Sequence, residues 1–210
     1  MNNADMASPE LAQCEIHGMT RASFILRGAI AASAVYGVGS VAPFVSQAFA
    51  ATGAGDVEIL NFALTLEYLE ADFYTVKARQ LGLSGQAKAY AAQFGAEESE
   101  HVLALTGTIK HLGGTPVKKP QFVFPATNES SFLALASVLE NTGVGAYNGA
   151  APSLKSKEVL GAAGSIVQVE ARHAAAIDLL LGNSPTPNQG FDLPLTKAQV
   201  LAKAGPLIKA

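Results

Sequence analysis

The sequence predicts an all-α protein, an antiparallel four-helix bundle with one long crossover between its second and third helices and a short C-terminal extension. Three observations lead there. Four segments carry apolar residues at the 3.6-residue helical period, each with a carboxylate in the middle of its apolar stripe. The second half of the chain repeats the polar pattern of the first. A Pro-rich stretch separates the halves where such a bundle needs its crossover. Composition agrees: 49% of the 210 residues are hydrophobic and Trp is absent. A chain rich in Ala and Gly suits closely packed helices better than a sandwich of β-branched residues.

Residues 1–50 read as an export segment. Arg21 and Arg27 flank an apolar start, an Ala/Gly-rich run follows, and Ala48-Phe49-Ala50 offers small residues at a cleavage site. Pro43, Ser46 and Gln47 interrupt the run, which argues against a membrane span. Thr20-Arg21-Ala22-Ser23-Phe24-Ile25-Leu26 resembles a twin-arginine signal with Ala22 in place of the second Arg. The expected location is exported, periplasmic or extracellular.

The bundle is assigned to residues 51–183. The first helix is expected from about Asp56 to Gln80, as one continuous stripe through Leu60, Leu64, Glu67 and Tyr74. The second runs from about Gly85 to Leu112, through Phe94, Glu98, His101 and Leu105, and ends at Gly113-Gly114-Thr115-Pro116. Residues 113–129 hold Pro116, Pro120 and Pro125 without helical period and form the crossover. The third helix spans about Ser130 to Asn148, with Gly143, Gly145 and Gly149 predicting a kinked or frayed C-terminal end. The fourth spans about Ser156 to Leu181, through Ile166, Glu170, His173 and Ile177. Residues 184–210 form the extension, with a short helix over about Thr196 to Ala204.

The polar residues on these stripes read Glu67, Glu98-x-x-His101, Glu140, Glu170-x-x-His173. Glu67 and Glu140 are 73 residues apart, and both Glu-x-x-His pairs are 72 apart. Tyr74 and Tyr147 follow their leading Glu by seven residues each. Spacing of i, i+3 puts Glu and His on one helix face. An ionised carboxylate in an apolar core is too costly without a partner, and four together repel one another. Two divalent cations offset four negative charges, so the six residues form a candidate dinuclear site. Carboxylate oxygen with imidazole suits two Fe or two Mn ions. The only Cys, Cys14, lies in the export segment, so thiolate metal sites and internal disulfides are excluded.

These motifs resemble the ferritin-like diiron-carboxylate superfamily, and more narrowly its exported family that includes desiccation-related proteins. Residues 60–70 (LNFALTLEYLE), the two Glu-x-x-His motifs, Gly113-Gly114-Thr115-Pro116 and Asp192-Leu193-Pro194-Leu195-Thr196 carry the likeness. It implies metal ions and small oxidants as partners and chemistry on Fe²⁺, peroxide or O₂. A non-catalytic, structural or desiccation-related protein is the alternative.

Glu70, one turn beyond Glu67, competes with it as the first ligand. Tyr74 and Tyr147 are candidates for holding a ligand or for a redox role, against the plainer reading as core aromatics. Glu97, Glu100, Arg172, Lys118 and Lys119 read as solvated charge and His111 as surface. Formal net charge of −3 gives no basic field for nucleic acid. Homo-oligomer formation is left open.

Overall fold

The structure, a computed structural model, describes residues 55–209; the export segment expected over residues 1–50 lies outside them. Helix α1 spans Asp56–Asp72, passes through a π-helical turn at Phe73–Lys77 and resumes as α2, Ala78–Leu81. Helices α3 (Gly85–His111), α4 (Glu129–Ala150) and α5 (Lys157–Leu180) complete a four-helix bundle. Helix α1 packs mainly on α3 and α4 mainly on α5, with thinner seams between α1 and α4 and between α3 and α5. The expected all-α bundle with its long second-to-third crossover is present. Among the described residues, no helix is long and apolar enough to cross a membrane.

Local chemistry sets the helix ends. Asn128 and Ser131 form a reciprocal capping box at the start of α4. Ser156 caps α5 by accepting from the Val159 amide. Asp56, at the start of α1, accepts from the amides of Lys155 and Ser156 at 2.8 Å each, tying two helix starts together. Left-handed glycines end α2 (Gly82, φ 62°) and follow α3 (Gly113, φ 76°).

Two apolar clusters fill the core. Phe73 stacks on Phe132 with centroids 4.3 Å apart in one cluster, which also holds Leu69, Phe94 and Ile177. The other holds Leu60, Leu64, Leu105, Ile109 and Val159. Along each of the four helices one cluster mainly precedes the central carboxylate and the other mainly follows it. The acids therefore form a polar layer between two apolar ones.

Three expectations need correction. The first helix is not continuously α-helical, because the Phe73–Lys77 turn is π-helical. The extra residue in such a turn breaks the 3.6-residue phase that the stripe assumed. Helix α4 does not fray at its glycines but continues to Ala150. Those glycines instead admit the C-terminal extension: Leu195 N donates to Gly145 O at 2.8 Å, and a Cβ at Gly149 would lie 1.9 Å from Leu195 O. Two short strands also form that no periodicity announced, Gln121–Phe122 (β1) pairing antiparallel with Ile208–Lys209 (β2). They tie the crossover to the extension. Helix α6 (Lys197–Ala204), capped by Thr196, packs on α4 as part of the same extension.

Replacing Gly149 by Ala should force Leu195 off α4. The expected cost is about 1–3 kcal/mol, the usual range for overpacking, read as a lower midpoint in chemical denaturation. A wild-type midpoint would mean that the extension is not docked there.

Candidate metal centre

All six residues of the repeated pattern meet in the polar layer. The donor atoms of Glu67, Glu98, His101 and Glu170 lie within 4.8 Å of one another, as do those of Glu98, Glu140, Glu170 and His173. Glu98 and Glu170 are common to both groups. The four carboxylates are at most 1% exposed.

The spacing is that of a coordination shell. His101 Nδ1 faces Glu67 Oε2 at 3.1 Å, Glu98 Oε2 at 3.1 Å and Glu170 Oε1 at 3.0 Å. One ring N–H cannot serve three acceptors. His173 Nδ1 lies 2.9 Å from Glu98 Oε1 and 3.5 Å from Glu140 Oε2 without hydrogen-bond geometry to either. Metal–ligand bonds of about 2.1 Å at right angles put neighbouring donors about 3 Å apart. Buried oxygens of Glu98, Glu140 and Glu170 also make no hydrogen bond. Orphaned donors at this spacing are costly unless a cation sits among them. The donor set therefore fits two cations, one per group.

The tyrosines reach across the pattern. Tyr74, seven residues after Glu67 on its chain segment, donates to Glu140 Oε1 at 2.5 Å. Tyr147, on the helix of Glu140, donates to Glu67 Oε1. Each hydroxyl thus fixes the leading carboxylate of the other half, leaving its second oxygen toward the imidazoles. The π-helical turn contains Tyr74, and α3 comes close to it: a Cβ at Gly95 would lie 3.2 Å from Tyr74 Cβ.

Glu97 corrects the sequence reading. Expected on a solvated face, it accepts a hydrogen bond from His173 Nε2 at 2.6 Å and is only partly exposed. That bond places the proton on Nε2 and presents Nδ1 to the acids. Phe94 stacks on the same ring with centroids 3.9 Å apart. Adjacency to Glu98 was the only sequence signal for Glu97, and the helical phase pointed it away. Glu70 is buried but stands outside both donor groups. Glu100, His111, Arg172 and Lys118 are exposed as expected. Lys119, also exposed, pairs with Asp72 at 2.8 Å.

Without a cation, protons must balance the layer. Burial opposes a charged His101, but the close carboxylates of Glu170, Glu67 and Glu98 outweigh that and push its pKa up to about 12. Burial likewise opposes a charged His173, yet Glu140 and Glu98 raise it to about 11. Burial is the main force raising Glu67 to about 8. Burial would also raise Glu98, but the adjacent His101 and His173 imidazoles prevail and hold it at about 2.

A bundle whose core converges four carboxylates and two imidazoles between apolar layers defines a class: helical proteins whose buried donor cluster could hold metal ions. Within that class the assignment is specific. The sequence profile of the ferritin-like domain matches residues 55–183, and the chain belongs to the ferritin-like domain family. No curated protein matches it in sequence.

The shifts give a pH prediction for the metal-free protein. The raised imidazoles stabilise fully below their unfolded value of 6.5, and this is lost as pH rises toward about 11 and 12. Raised Glu67 acts in the same sense, its contribution fading between 4.5 and about 8. Depressed Glu98 contributes above 4.5 and is lost as pH falls toward about 2. Chelator-treated protein should therefore melt highest near pH 5 and progressively lower toward pH 9. The melting gain from added Mn²⁺ should grow over the same range, since each ligand must shed its proton to bind.

Proposed function

We propose that this is an exported protein whose polar layer holds two iron or two manganese ions and acts on Fe²⁺, peroxide or O₂, as an oxidoreductase or in protection against oxidants. One observation carries the reading: six donor residues, several of them orphaned or over-shared, converge, buried, at coordination spacing. Export rests on the pattern of residues 20–50.

The chemistry a metal pair supplies when bound is electron exchange with Fe²⁺, peroxide or O₂. The chain's own residues prepare for it. Glu98 and Glu170, common to both donor groups, would serve both ions. Glu67 with His101, and Glu140 with His173, complete one group each. Tyr147 and Tyr74 hold Glu67 and Glu140 in single orientations. Glu97 and Phe94 fix the His173 ring. The flanking apolar clusters exclude bulk water, so charge inside is felt strongly. A cavity of about 580 Å³ lies against Tyr74, between the π-helical turn and α3, with Arg79 and Lys88 in its lining.

Purified protein should carry about two Fe or Mn per chain by elemental analysis, and the His101→Ala/His173→Ala variant should lose them. Loaded protein should then speed Fe²⁺ oxidation or peroxide consumption. No metal in either protein after anaerobic loading with Fe²⁺ or Mn²⁺ would sink the reading.

The depth of the site favours one other reading, in which the ions only brace the helices. Glu98, Glu140 and Glu170 are all 0% exposed. Tight binding with a large melting gain and no turnover of Fe²⁺, peroxide or O₂ would select it.

A further inference from the structure

The two halves of the bundle differ at one place inside the polar layer. The 73-residue offset that carries Glu67 to Glu140 and Tyr74 to Tyr147 carries Glu70 to Gly143. A fifth buried carboxylate therefore faces a glycine across the pseudo-symmetry. Glu70 is 3% exposed and its Oε2 makes no hydrogen bond. Gly143 sits in the middle of α4, where glycine is unfavourable for the helix and its φ is not positive. Its use there is space. A Cβ at position 143 would lie 3.0 Å from Glu170 Oε2 and 3.4 Å from Glu70 Oε1. Both carboxylates lean into the volume that the missing side chain leaves.

Nothing else in the seam explains the acid. Its surroundings are Leu66, Leu69, Leu139, Thr142 and Ala204, around a void of only about 10 Å³. Such a void holds at most one water and no organic ligand. Thr142 Oγ1 donates to Val138 O at 2.6 Å and so is engaged within its own helix. An ionised, unpartnered carboxylate in such a seam would be strongly destabilising, so Glu70 either stays protonated or serves a cation.

We propose that Glu70 is a seventh protein ligand to the metal pair, entering from the α1–α4 seam and admitted by Gly143. The inference rests on the dinuclear reading above. The imidazoles come from α3 and α5, whereas Glu70 comes from α1 and reaches the layer beside Glu170. As placed, it stands outside the two donor groups, so it joins by a side-chain rotation into the space at Gly143. A seventh, anionic donor from one half only makes the two metal positions unequal in charge and affinity.

Mn²⁺ binding to the full chain, followed by electron paramagnetic resonance and by thermal melting, tests this. Wild type should take up two Mn²⁺. Glu70→Gln, which keeps shape and removes charge, should weaken at least one ion by about tenfold or more. It should also shrink the Mn²⁺-dependent melting gain without lowering the metal-free melting point. If Glu70→Gln folds poorly, the exchange of Glu70→Gly with Gly143→Glu moves the acid to the equivalent place on α4. That exchange should bind Mn²⁺ more tightly than Glu70→Gly alone. Wild-type affinity for both ions in folded Glu70→Gln would overturn the proposal and leave the dinuclear reading intact. No Mn²⁺ uptake by the wild type would overturn both.

Discussion

The structure is governed by the burial of five glutamates and two imidazoles in the core of one bundle. Removing an ionised group from water costs several kcal/mol even after relaxation. Well-packed apolar residues at the same positions would often give an equally or more stable bundle. Without bound ions, the layer therefore adds little to holding the helices together. Its presence makes sense only if positive charge arrives, and the metal-free protein must supply that charge as protons on His101, His173 and some of the acids. The rest of the architecture fits this constraint. Apolar clusters on both sides keep water from solvating the acids singly. Two tyrosine hydroxyls and the Glu97 carboxylate orient the groups that remain.

A near repeat with deliberate departures shapes the layer. Glu67 and Glu140, the two Glu-x-x-His pairs and the crossed tyrosines obey the repeat. Three positions break it. Glu70 answers to Gly143, which opens the α1–α4 seam to a carboxylate. Glu97, bound to His173, answers to Val169, so the ring of His101 has no equivalent acid at that position. The π-helical turn at Phe73–Lys77 answers to regular α-helix at 146–150. Each break falls within one or two turns of the site, and each sets the halves apart in charge, ligand orientation or access. Symmetry supplied the donor list; the departures make the two donor groups unequal.

The parts legible in the sequence were those encoded by period along single helices. Apolar stripes at 3.6 residues placed four helices to within a few residues, and Glu-x-x-His at i, i+3 put its two residues on one face. The repeat then brought Tyr74 and Tyr147 to attention, although not the fact that each bonds the other half's acid. What stayed hidden depended on relations between helices. Glu97 looks solvated on its own helix and becomes a partner only because His173 comes across from α5. Gly143, Gly145 and Gly149 looked like helix weakeners because propensity counts only the local chain. Packing against Glu70, Glu170 and Leu195 overrides that cost. The π-helical turn shifts the phase by one residue, which an averaged period cannot register.

The extension beyond residue 183 belongs to the same economy of charge. Leu195 lies on α4 so closely that only glycine fits beneath it at 149, and α6 brings Ala204 to the edge of the void beside Glu70. The α1–α4 seam is one of the two thinner seams of the bundle and the one that contains the unpartnered Glu70. Left open, it would let water reach the acids and screen them, which weakens their pull on a cation. Covered by the extension and braced by β1 and β2, it keeps the local dielectric low, and Coulomb attraction rises as the dielectric falls. A Pro-rich tail that sequence reads as an extension with a short helix is in this sense a wall of the site.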